Sequence, residues 1–389
     1  MRCRTLSTWA AGAAIFAALS ACTTAPEWFP ELPEGTGGPV VEERAPSVQV
    51  HVKWRTEIAT QVYWQSDPRD LGAVVVSPGG DLLVGATSGW VYRVTSHDGE
   101  IRWGVPLEGA IDAPGVVIGD QVMIGTDLGR MVALDWATGE VRWSFEARGS
   151  VDSTPTVYGG GTYFFDSNDG LYAVDTVSGE LLWEYHRGTP EFFTIKGGGQ
   201  PLVEGDVVYA GFADGVLAAL SREEGNLLWE VYLGPDSGEF GDVDLPIHAA
   251  GDRLFAASHA GGIYGIERAT GALLWHVPME SVVALESLGT WLVAATATGR
   301  VFTLSGADGE IRWLRRFDEE YSPMGLSMVS GMIAVPMARG PMYWMSLDDG
   351  RVIARWKPST GFQRPPVFDE RRGYALSNLG YLYGFGLSH

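Results

Sequence analysis

The sequence is poor in cysteine, in positive charge and in long apolar runs, and each shortage removes a class of protein. Two cysteines, Cys3 and Cys22, occur in 389 residues, too few and too near the start for a disulfide framework or a thiolate metal site. Lys and Arg total 27 against 48 Asp and Glu, a formal charge of −21. A surface of that sign repels nucleic acid and anionic headgroups. The apolar stretch from Thr5 to Ala21 falls short of the ~20 residues a spanning helix needs. Seven histidines are scattered, none at His-x-x-x-His spacing, so no metal motif is visible. The run Gly197-Gly198-Gly199 lacks the Lys-Ser/Thr of a phosphate loop and reads as a flexible loop.

What is present begins with an export signal. Arg2 and Arg4 precede the apolar stretch and Leu19-Ser20-Ala21-Cys22 closes it, so residues 1–21 read as a signal peptide. Those last four residues resemble the bacterial lipobox, which implies that Cys22 becomes the lipidated first residue of the mature protein. Loss of both arginines leaves the mature chain more acidic still, so membrane attachment falls to the acyl chains rather than to a basic patch. Thr23 rather than Asp follows the cysteine, which points to sorting to the outer membrane. Residues 22–47 combine prolines and glutamates with no apolar period and read as a tether. Residues 48–389 remain for the globular part.

An internal repeat sets the fold of that part. Gly-x-x-x-Trp recurs at Gly99–Trp103, Gly139–Trp143, Gly179–Trp183, Gly225–Trp229, Gly271–Trp275 and Gly309–Trp313, and a seventh copy, Gly350 to Ala354, keeps the turn without the Trp. Upstream of most copies a Gly or Asp opens an alternating apolar segment such as Gly129-Arg130-Met131-Val132-Ala133-Leu134. Period-two alternation between glycine turns means short antiparallel strands. About four strands per unit at this repeat length are the blades of a β-propeller. Seven units run from Asp81 to Trp356, and an eighth, starting at Tyr374, stops one strand short. The alternating Val48-Gln49-Val50-His51-Val52-Lys53-Trp54 is expected to supply the missing strand and close an all-β, eight-bladed ring, leaving no long free edge. One Trp per blade at a constant strand position assigns these residues to packing of blade on blade rather than to lining a channel. The methionines from Met324 to Met345 read as core filling.

The strings Ala133-Leu134-Asp135-Trp136-Ala137-Thr138-Gly139-Glu140-Val141-Arg142-Trp143 and Ala173 to Trp183 resemble the repeat of the pyrroloquinoline-quinone-type propellers. Two branches share it, the quinoprotein dehydrogenases and the outer-membrane assembly lipoproteins of the BamB family. A lipobox, a short tether and eight blades resemble the second. So do Thr194 to Pro201, similar to the loop by which that family contacts the periplasmic domains of BamA, Asp242-Val243-Asp244, and the closing stretch through Met342, Asp349, Gly361 and Pro366. The resemblance implies a non-enzymatic scaffold at the periplasmic face of the outer membrane. Phe193 and Ile195 would be apolar anchors, Lys196 would meet a partner carboxylate, and Asp242 and Asp244 would accept hydrogen bonds or pair with a cation. Lys196 stands where the family usually has Arg, keeping the charge without the planar fork.

A quinone-dependent dehydrogenase would need a Ca²⁺ site, a catalytic Asp and often an adjacent Cys pair. The mature chain has no such pair, and no cofactor is expected. A third reading makes the chain an envelope lipoprotein that recruits another complex or a polymer. From spacing alone, Phe193 and Ile195 read rather as core strand residues, Asp242-Val243-Asp244 as a solvated turn, and His248 as structural; the resemblance is what raises the docking reading beside them.

Overall fold

A glycine turn every few residues leaves strands too short to do anything but meander, and the meander repeats. A computed structural model of the chain describes residues 47–58, 72–187, 198–235, 240–317, 321–370 and 372–388. Its strands form eight antiparallel sheets of four. Blades 1 to 7 span 74–106, 116–146, 156–186, 202–232, 248–277, 282–316 and 327–356. Blade 8 takes three strands from 367–388 and its fourth from Gln49–Glu57. That strand pairs with Tyr381–Ser388 from Gln49 opposite Ser388 to Glu57 opposite Tyr381. The ring therefore closes by joining the two ends of the chain, as the alternation at Val48–Trp54 predicts.

Within a blade the burial follows from strand position. The first strand of blade 1 touches that of blade 8, and the first strand of blade 3 touches those of blades 2 and 4, so first strands surround the axis. Second strands such as Gln121–Gly125 and Gly161–Phe165 are buried throughout. Fourth strands such as Leu181–His186 are mostly exposed and form the circumference. An antiparallel meander then puts two kinds of link on opposite rims. One rim carries the hairpins that join first to second and third to fourth strands. The other, the connection rim, carries the second-to-third turns and the links from blade to blade.

The Trp repeat is the joint between blades. Gly179 turns at φ +74°, and a Cβ there would lie 2.6 Å from the ring of Trp143 in the preceding blade. The ring thus covers a turn that only glycine can both adopt and leave bare. The indole N–H donates to the same turn: Trp143 Nε1 to Thr176 O at 3.1 Å, Trp183 Nε1 to Arg222 O at 2.9 Å, Trp313 Nε1 to Leu347 O at 2.9 Å. Trp54 on the N-terminal strand does this for blade 1, donating to Ser96 O at 3.0 Å beside Gly99. The seventh copy has Ala354 in place of Trp for the same reason. Its neighbour, blade 8, has no third-to-fourth hairpin for a Trp to cover, because its fourth strand comes from the other end of the chain. Met332, Met337, Met342 and Met345 are buried, in keeping with core filling.

Candidate functional site

The connection rim departs from the repeat around blades 3 to 5, where Asp242 and Asp244 fall. Phe193, Ile195 and Lys196 lie outside the described residues, as does Cys22. Asp242 and Asp244 lie on the link from blade 4 to blade 5. Asp242 is wholly buried, and its carbonyl accepts from His259 N at 2.9 Å. Asp242 is thus enclosed and Asp244 half-buried, so a solvated turn does not describe Asp242. Val243 between them is drawn inward, its N–H donating to Phe212 O at 3.1 Å.

The glycine run is also corrected where it is described. Gly198 and Gly199 are buried, and the reason for glycine is close approach rather than freedom. A Cβ on Gly198 would lie 2.5 Å from the Phe165 ring, and one on Gly199 would lie 2.5 Å from the carbonyl oxygen of Asp244. In blades 1, 2 and 4 the second strand ends in glycine and the outgoing link fills the space, Ile111 over Gly85, Val151 over Gly125 and Val243 over Gly211. Blade 3 exchanges the two, with Phe165 on the strand and Gly198 on the link. This exchange lays Gly199, three residues after Lys196, directly against the Asp242-Val243-Asp244 link.

Before the undescribed stretch, Arg187 is held as firmly. It pairs with Asp214 at 2.7 Å and Glu230 at 2.5 Å and lies over the Phe212 ring at 5.6 Å. Partial burial lowers its pKa, but the two carboxylates outweigh that and keep the guanidinium charged. Both ends of the link from blade 3 to blade 4 are thus anchored on blade 4 or the link after it.

Sequence reasoning missed the residue beneath these contacts. The second-to-third turn of six blades is made by glycine at positive φ: Gly89, Gly129, Gly215, Gly299, Gly340 and Gly380. Blade 3 uses Asp169 there, at φ +62°. A non-glycine residue in this region is strained, and such strain persists only where the surroundings enforce it. Both carboxylate oxygens accept from Ala213 N of blade 4, each at 3.1 Å. Burial pushes the Asp169 pKa up to about 7; the charges of Asp214 and Asp242 act the same way, and the Ala213 bond and Arg187 act against them. Asp166, also buried, caps the turn, accepting from Gly149 N, Asn168 N and Gly170 N at 2.9, 3.0 and 2.9 Å and from the Tyr172 hydroxyl at 3.1 Å. The available signal was Ser-Asn-Asp-Gly where other blades reach a single turn glycine. Three buried aspartates, 166, 169 and 242, therefore hold this part of the rim, and their chemistry is that of rigid loop presentation.

His248 bridges first strands, its Nε2 lying 2.8 Å from Leu285 O, and burial lowers its pKa. On the other side of the rim the Arg364 guanidinium donates to Asp112 O and feels the charges of Asp112 and Asp152, while burial lowers its pKa. Among the described residues, no group of three His, Cys, Asp or Glu side chains is placed to hold a metal ion.

The sequence profile of the outer membrane protein assembly factor BamB matches residues 87–315 and 259–360, well over half of the chain. The chain belongs to the BamB family. BamB from Moraxella catarrhalis is 21% identical and superposes with a TM-score of 0.71 over 85% of this chain and 99% of its own. The quinohemoprotein alcohol dehydrogenase of Comamonas testosteroni, 13% identical, gives 0.67 over 88% and 76%. Sqt1 of Saccharomyces cerevisiae, 10% identical, gives 0.71 over 86% and 100%. At these identities the structural likeness establishes the fold. No curated protein sequence matches the chain. A BamB-type propeller is in general a protein-interaction scaffold, typically without catalysis, although dehydrogenases share its architecture.

Proposed function

We propose that this protein is a lipid-anchored scaffold on the periplasmic face of the outer membrane, docking a BamA-type barrel protein and supporting insertion of outer-membrane β-barrels. The observation that carries the reading is the BamB profile match across blades 1 to 7. Cys22 is the lipidated residue, residues 1–21 are removed, and residues 22–47 let the propeller stand off the membrane. Docking uses the connection rim at blades 3 to 5. Phe193 and Ile195 are its apolar anchors, Lys196 pairs with a partner carboxylate, and Asp244 contributes at the edge of the same patch. Asp242, enclosed in the fold, acts by positioning the link that bears Asp244.

Copurification from detergent-solubilised membranes tests this directly. A tagged full-length chain is expected to bring down a BamA-like barrel protein. Recovery of a different envelope complex instead would favour the broader reading of a recruiting lipoprotein. Replacing Cys22 with Ser is expected to leave the propeller folded and release it from the membrane fraction. A variant that stays membrane-bound would remove the lipid anchor from this account.

A further inference from the structure

Where blade 8 meets blade 1 on the hairpin rim, a cavity of about 300 Å³ opens beside the clasp that closes the ring. Its walls include Lys53 and Trp54 of the N-terminal strand, Phe385 of the strand paired with it, Arg372 and Tyr374 of Arg372–Leu376, and His97 of the blade 1 hairpin. Positive charge is scarce in this chain, and lysine occurs only at 53, 196 and 357. His97 has Asp98 beside it at 3.1 Å. Lys53 and Arg372 have no ion-pair partner among the described residues.

The cavity also holds a hydroxyl proton for which the fold supplies no acceptor. Tyr374 is 1% exposed; the Ser96 and Arg372 side chains interact with its oxygen, and its O–H finds no acceptor at hydrogen-bonding distance among the described residues. Burial pushes its pKa up, as does Asp369, while Ser96 and Arg372 pull it down, so the hydroxyl stays a donor. Buried hydroxyls are rarely left so, because the missing bond is costly. The indole N–H of Trp54 is already committed to Ser96 O at 3.0 Å. Its ring, 6.0 Å from that of Tyr374, therefore offers only an apolar surface.

We propose that this cavity is a binding site for a small organic anion, whose carboxylate or phosphate head is held by Lys53, Arg372 and the Tyr374 hydroxyl while an apolar body lies against Trp54 and Phe385. The volume lies at the small end of ligand pockets, which limits the occupant to a compact molecule. The walls come from both ends of the chain, so an occupant ties the first strand to the last and stabilises the closed ring by linkage.

Calorimetric titration of the full chain with phenylacetate, phenyl phosphate and phenethylamine tests the site. One or both anions are expected to bind and to raise the melting temperature, and the amine to do neither. The tighter anion identifies the head group. Lys53→Ala and Tyr374→Phe are each expected to weaken binding about tenfold, the effect of losing one hydrogen bond to a charged group. Lys53 is exposed, so its variant keeps the fold and remains decisive if Tyr374→Phe does not. Binding of neither anion, equal binding of the amine, or unchanged phenylacetate binding after Lys53→Ala with Arg372→Ala would overturn the proposal.

Discussion

The two rims of the ring solve the same problem, joining one blade to the next, by different physics. On the hairpin rim every joint except that of blades 7 and 8 is an indole over a glycine turn, from Trp54 to Trp313, and at Trp54, Trp103, Trp143, Trp183, Trp275 and Trp313 the indole N–H donates to a backbone carbonyl of the next blade. On the connection rim at blades 3 to 5 the joints are buried carboxylates, a strained aspartate and glycines with no room for a Cβ. The first device is apolar, tolerant of pH and the same around the ring. The second is polar and gathers its buried aspartates on one arc. A joint that only holds the ring together has no reason to differ between blades, whereas an arc that presents particular loops to a partner does.

Mutation can break this contrast, and the largest effect is expected on the regular rim. Trp183→Ala leaves a large void over Gly225 and removes the bond to Arg222 O. It is expected to lower stability by about 3 to 5 kcal/mol, read by denaturant unfolding. A loss below about 1 kcal/mol would show that the indole is not the joint.

Asp169→Asn should act on the irregular rim with the opposite sign at neutral pH. The folded pKa of about 7 exceeds the ordinary value of 3.8, so the folded state holds this proton more tightly than the unfolded chain. The wild type therefore loses stability as pH rises from about 4 to about 7, and the amide does not. Asparagine tolerates the same backbone region and keeps an acceptor for Ala213 N. The variant is expected to match the wild type near pH 4 and to exceed it by up to about 4 kcal/mol at pH 8. Parallel melting curves across that range would show that Asp169 does not titrate as described.

Lys196→Glu is expected to have the smallest effect on stability, within about 0.5 kcal/mol, and a clear effect on copurification, since the reversed charge meets a like charge on the proposed partner. A large stability loss with unchanged partner recovery would turn Lys196 from a docking residue into a structural one.

Much of the fold was legible because its signals are local or strictly periodic. Alternation between glycine turns identified the strands, the count of turns identified the blades, and the unpaired Val48–Trp54 segment identified the clasp. The rim was legible only as a location. Thr194 to Pro201 and Asp242 to Asp244 were picked out by resemblance, and the topology assigns both links to one rim. Which side chains face outward could not be read there, because Asp242 is buried by contacts from elements distant in sequence.

By itself, then, the sequence determined the architecture: a repeat whose strands can bury their faces only against copies of themselves has one way to close. Tertiary structure alone decided the rest. Gly198 and Gly199, read as a flexible loop, are glycines because the Phe165 ring and the Asp244 carbonyl occupy the space a Cβ would need. Asp169 became a proton-holding residue because the following blade buries it and the charges of Asp214 and Asp242 add to that burial, while the Ala213 N–H bonds the carboxylate of this strained turn residue. Burial and charge are sums over neighbours in space, and at a junction between blades those neighbours lie tens of residues away along the chain.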